Sequence, residues 1–193
     1  TLAVTNHLVV DPPEPTAAFR YVVGDTGHSN KVTVADGGTL EMGRWRHLHI
    51  GRNGRHNRVV VQSGGRLIHD QAAVQRNIYI GGDSATSVGT GNELVIQGGA
   101  VSGFCVIRLG DGGLGGSNRL RVAGGGLLQA GRMFVSSRAG SSENVMQVTG
   151  AGTRLQADAY LHVGGVANSH GDRLMVESGA VVMVDGYAHW GRY

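Results

Sequence analysis

The sequence contains one cysteine, Cys105, so no internal disulfide can form and no multi-cysteine zinc site can be assembled. Stability has to come from packing. Only three of the 193 residues are proline, against 34 glycines, which excludes collagen, and the abundant Val, Leu and Ile exclude a glycine-rich disordered linker. No apolar run approaches the roughly 20 residues a helix needs to span a bilayer, so membrane insertion is not expected, and residues 1–10 lack the charged start of a signal peptide. Lysine is nearly absent too. Sixteen arginines and Lys31 give a net charge of +3 and a bias toward planar, multidentate contacts. What remains is one domain with many tight corners.

A repeat supplies the corners. The phrase "apolar, any, apolar, Gly" recurs at residues 21–24, 48–51, 78–81, 107–110 and 161–164, with 133–136, ending in Ser136, as a variant and 188–191 as a last copy. After each copy but the last come a polar loop and "Asn, any, apolar, any, apolar", starting at Asn30, Asn57, Asn92, Asn118 and Asn144, with Asp172 in the sixth place. These positions are 27, 35, 26, 26 and 28 residues apart, room for three short strands and three turns. Period-two alternation argues for strands, and no segment sustains a 3.6-residue period. Such strands become stable when stacked on their own copies at about 4.8 Å per rung. The predicted fold is all-β: a right-handed parallel β-helix (β-solenoid) of about six three-stranded rungs over residues 21–193, in three long sheets. Residues 1–20 form an extended N-terminal segment serving as cap, linker or donated strand.

Alternation also assigns faces. Pairs such as Leu48 and Ile50 or Ile78 and Ile80 point inward in the first sheet, and Val59 and Val61 or Leu120 and Val122 in the second, where Val176 closes the series. The recurring Asn30, Asn57, Asn92, Asn118 and Asn144 are expected to form a ladder at an inward corner, each amide bonding the rungs above and below. Asp172 can continue it only in part, because a carboxylate has no donor hydrogens. Facing outward from the first sheet is a candidate contact column, His49, Tyr79, Arg108, Phe134, His162 and His189, with Val22 below it. Val60, Val95 and Met175, with Ile68, Leu128 and Val182, are expected outward as an apolar patch. Residues 1–19 or a neighbouring subunit would cover it.

Candidates for chemistry are few. The outward columns of the first two sheets hold no carboxylate, and the third offers Glu41, whereas calcium binding or acid–base hydrolysis needs two or more carboxylates converging. Asp83 and Asp111, one rung apart, are the best-placed loop acids, with Asp25 too distant, and corners use Asp for their own turns. His28, His47, His49, His56 and His69 crowd the first rungs at differing repeat positions, so no metal site is expected, nor any cofactor. Arg44, Arg46, Arg52, Arg55, Arg58 and Arg66 are the densest basic stretch and a candidate polyanion-binding set, for an acidic polysaccharide rather than nucleic acid. Exposed strand edges at the solenoid ends make self-association, head-to-tail or lateral, an expected partnership.

The Gly-ended strand, the loop, the Asn with alternating apolar residues and the Gly-Gly corner, best seen at residues 48–67 and 107–127, resemble the repeats of bacterial autotransporter passenger domains and of secreted proteins with PEP-CTERM sorting signals. The resemblance covers roughly residues 21–193 and brings no catalytic residues with it. It implies an extracellular or cell-surface bacterial protein with a structural or adhesive role and no enzyme activity. The rival expectation is a carbohydrate-active enzyme or polysaccharide-binding module on the same scaffold.

Overall fold

A computed structural model of the chain describes residues 1–10, 20–35, 37–43, 47–69, 76–164 and 168–191. Among these residues every regular element is a strand, and the pairings between strands are parallel. The chain coils as a β-solenoid, its rungs numbered here by ladder residue, from Asn30 in rung 1 to Asp172 in rung 6. The second sheet has seven strands in chain order, from Leu2–Val4 to Arg173–Glu177. Register sets Val32, Val59, Leu94, Leu120, Met146 and Leu174 in one line. Strands of four or five residues are too short to stand alone; each is fixed by the copies stacked on it.

The third and first sheets are not separate, as the repeat had suggested. In the upper rungs Ala100–Leu109, Leu127–Val135 and Arg154–Val163 each run from the third face of one rung into the first face of the next, joining both into an eleven-stranded sheet. The corner survives as a bend inside the strand, where register shifts between Val101 and Phe104 and between Ala130 and Arg132. Such bulges kink a strand without ending it. Gly103 takes the bend at a φ of 84°, with the His69 carbonyl 2.6 Å from where a Cβ would stand.

The inward residues of the first two sheets form one continuous core, from Val23 and Val32 up to Leu161 and Val163. Val176 lies in the inward register but is 46% exposed. In the third sheet Glu41 and Ile68 face outward as expected, whereas the expected register is one residue off at Leu128 and Val182, which exchanges their faces. Leu128 is fully buried and Val182 packs against the core, while Leu127, Val181 and Met183 are exposed. Val60 and Val95 do belong to the outer face of the second sheet, yet both are buried. The Arg58–Glu93 ion pair (2.9 Å) stands beside them, and the stems of long side chains cover apolar surface. Arg121 and Gln147 separate Val95 from Met175 in the column. The expected continuous apolar patch is therefore absent among the described residues.

The start of the chain extends the coil rather than lying over that face. Leu2–Val4 pairs with Lys31–Val34 and His7–Val10 with Thr39–Met42, adding the second and third strands of a further rung.

Candidate contact face and the corner that supports it

Corner geometry is fixed by the ladder. In each rung the Asn backbone N–H and Nδ2 both donate to the Oδ1 of the Asn one rung above, at 3.0–3.2 Å from Asn30 to Asn144. The Nδ2 groups of Asn57, Asn92 and Asn118 also donate to corner carbonyls of Gly27, Gly54 and Gly89. Asn144 hands the series to Asp172, whose Oδ1 accepts from its N–H at 3.0 Å. The strand-ending glycine of each rung leaves room for the Asn above. A Cβ on Gly24, Gly51, Gly81 or Gly110 would fall about 2 Å from the side chain of Asn57, Asn92, Asn118 or Asn144.

The two departures from the repeat prove to be one. Ser136 replaces the glycine of rung 5, and the residue it meets above is Asp172, the one ladder position that is not Asn; the Ser136 hydroxyl donates to Asp172 Oδ1. Where the glycine gains a hydroxyl donor, the amide becomes a carboxylate that accepts it. The spacing between these two positions was the available sequence signal, since every other Gly–Asn pair has the same one-rung offset.

The four candidate arginines among the described residues do not form a patch. A run of residues along a solenoid travels around the rung, so neighbours in sequence end on different faces. Arg44 and Arg46 lie outside the described residues. Arg52 and Arg55 sit in the loop after the first strand, Arg58 begins the second and Arg66 the third. Arg52 is held by Asp83 (3.0 Å) and Arg58 by Glu93. The loop acids are likewise occupied. Asp83 contacts Arg20 and Arg52, while Asp111 contacts Arg108, Arg138 and the Ser137 hydroxyl. Guanidinium groups stand where a calcium ion would need open carboxylate oxygens.

The first-sheet column is brought together in full register: Val22, His49, Tyr79, Arg108, Phe134, His162 and His189 are consecutive partners. Its rings stack. His49 lies 4.7 Å from Tyr79 and His162 4.8 Å from His189, both near parallel, and the Arg108 guanidinium is 4.8 Å over Phe134. Sequence reading overlooked a second column on the same face. Arg132 lies over Tyr160 at 5.1 Å, Tyr160 stacks on Tyr187 at 5.2 Å, and Phe134 meets Tyr160 edge-on. The upper half of the face is thus an aromatic and cationic platform, with Tyr187 65% exposed. Alternation marks these residues as outward two positions before the first column, so the pattern was there to be read.

The lower end is different in kind. His49 is only 1% exposed and cannot touch a ligand, although it belongs to the column. Its pKa is pushed down to about 3, chiefly by burial, with Asp83 opposing and Arg20, His47 and Arg52 adding to the effect. Burial alone would raise the Asp83 carboxyl, but the Arg52 hydrogen bond and the neighbouring positive charges hold it below the usual carboxylate range. A histidine whose folded pKa lies below its unfolded value near 6.5 lets the unfolded chain take up a proton that the folded chain refuses. Stability is therefore expected to fall as pH drops from about 6.5 toward 3, by up to about 1.4 kcal/mol per pH unit from His49. His47 and His162, also lowered by burial, act in the same direction. Urea titrations across this range measure the slope. His49→Gln should flatten it, and an unchanged slope would contradict the assignment.

Where the bent strands turn from the third face to the first, they enclose an open groove of about 810 Å³. It runs from rung 3 to the start of rung 6, lined by Arg76, Asn77, Tyr79, Gln129, Arg132 and Asp158 over a floor that includes Gly131. Asn77 Nδ2 donates to the Tyr79 hydroxyl at 3.1 Å, and Gln129 Nε2 to Asp158 at 3.1 Å.

No family model matches the sequence, and no curated protein matches it. Among solved structures, a TibC-catalyzed hyper-glycosylated TibA fragment aligns with 94% of this chain and 99% of its own at 12% identity, with a TM-score of 0.11. A score that low carries no argument, so the reading of this protein rests on its own geometry.

Proposed function

We propose that this chain is a structural or adhesive β-solenoid of the bacterial cell surface or extracellular space, and that the outer face of its first sheet is the contact surface. The observation that carries the reading is the in-register stack of aromatic, histidine and arginine side chains from Tyr79 to His189. Such a surface offers flat faces for sugar rings and guanidinium groups for acidic substituents, so an acidic polysaccharide is the partner it suits. Binding is favoured over hydrolysis because Asp158 is the one carboxylate among the described residues lining the groove, whereas glycoside hydrolysis generally employs two. Lateral self-association is a second reading, supported by the exposed Leu127, Val181 and Met183 on the outer third face.

The test is retention of the folded chain on immobilised polygalacturonate, with amylose as the neutral control. Retention on the acidic polymer should fall about tenfold, equivalent to about 1.4 kcal/mol, when Phe134→Ala and His162→Ala are combined. Retention indifferent to both substitutions would contradict the assigned face. Light scattering over a concentration series tests the second reading, which a monomer at every concentration would end.

A further inference from the structure

We infer that the groove at the bend holds a linear, carboxylate-bearing polysaccharide lying along the solenoid axis, an inference that rests on the contact-face reading above. Its shape suits a chain rather than a single sugar. Asn77, Val106 and Arg132 are register partners on successive rungs, so the lining repeats every rung and spans roughly 10 Å between the first and third of them. Charge selects the class. Two guanidinium groups, Arg76 and Arg132, lie two rungs apart in this lining, and the single carboxylate, Asp158, is engaged by Gln129. The groove is net positive at separate points along its length, as a polymer with regularly placed carboxylates requires.

Orientation of the cations supports the same ligand. The face of the Arg132 guanidinium is occupied by Tyr160, and a carboxylate is gripped by the N–H edges of a guanidinium, not by its face. The Nε of Arg76 donates to Cys105 Sγ at 3.2 Å, which anchors that head group to the groove floor. Beside the cations stand neutral amides and a phenol, Asn77 and Tyr79 on the rung of Arg76 and Gln129 in the strand of Arg132, the groups that read sugar hydroxyls. The floor is kept low at Gly131, where a Cβ would come within 2.7 Å of the Cys105 carbonyl oxygen.

The experiment titrates the full chain with oligogalacturonates of increasing length, with their carboxyl-reduced neutral counterparts and with single-stranded oligothymidylate, reading Kd by calorimetry. Arg76→Gln and Arg132→Gln are the groove variants and Phe134→Ala the variant outside it, with circular dichroism confirming that each is folded. Expected are binding of the acidic oligomers alone, affinity rising with length until the groove is filled, and about tenfold weaker binding for each arginine variant, all weakened by salt. Binding that Phe134→Ala abolishes and the arginine variants leave intact would overturn the groove while keeping the contact face. Equal or tighter binding of the oligothymidylate would overturn the carboxylate class. No affinity for the soluble oligogalacturonates in a chain whose retention on immobilised polygalacturonate still depends on Phe134 would overturn this inference alone. Absence of any retention would remove the contact-face reading with it.

Discussion

Replacing Asn118 with alanine is expected to destabilise the protein by about 3–5 kcal/mol, far more than its loss of side-chain volume would suggest. Asn118 is fully buried in the middle of the ladder. Its Oδ1 accepts from the backbone N–H and Nδ2 of Asn92, and its Nδ2 donates to the Gly89 carbonyl and to Asn144 Oδ1. Alanine removes one residue but strands polar groups on both neighbouring rungs, and an unsatisfied buried group costs about 1–3 kcal/mol. A total stability of about 5–15 kcal/mol is typical of a domain, so the loss should be plain in a urea midpoint. Aspartate at the same position should be at least as damaging near neutral pH, because its second oxygen would face the Gly89 carbonyl and Asn144 Oδ1, both acceptors. Rung 6 tolerates a carboxylate because Ser136 supplies a hydroxyl there. A midpoint for Asn118→Ala within the range of surface substitutions would show that the ladder does not hold the corners.

Gly81→Ala should be as severe, for a reason that can be split in two. Gly81 has a φ of 83°, a region that costs L residues roughly 1–2 kcal/mol, and its Cβ would fall 2.2–2.5 Å from the side-chain atoms of Asn118. Gly164 ends the equivalent strand of rung 6 at a φ of 66°, with nothing among the described residues within 4 Å of the same point. Gly164→Ala should therefore show the backbone strain alone, about 1–2 kcal/mol, whereas Gly81→Ala adds the collision and the loss of Asn118 bonds. Equal effects at the two sites would mean that the glycines serve only their backbone angle. A much larger effect at Gly81 supports the view that glycine and asparagine are two halves of one corner.

The fold was legible because a solenoid writes each element six times. Repetition made the alternation of Leu48, Ile78, Ile107 and Leu161 unmistakable, and it placed the ladder and the first-sheet column by residue. Legibility failed where repetition is weakest. The third strand has no fixed landmark, so its register was one residue off at Leu128 and Val182, and nothing in the sequence marks its merger with the first strand. The arginines from Arg52 to Arg66 looked like a cluster because linear proximity was taken for spatial proximity, which a coil of three faces undoes. The charge cluster of Asp83 with Arg20 and Arg52 joins residues from three different rungs, a contact that no local pattern announces. The groove follows from the bend itself, which the sequence records only as a bulge.

The most direct test of a first-sheet contact face is to map backbone amide shifts of the isotope-labelled chain by nuclear magnetic resonance during titration with oligogalacturonate. The predicted result is that shifts concentrate on the first face and its bend, at Tyr79, Arg108, Arg132, Phe134, Tyr160 and His162, and leave the second sheet unmoved. Shifts centred on Arg58, Glu93, Arg119 and Arg121 of the second sheet, or no shifts at all, would contradict it.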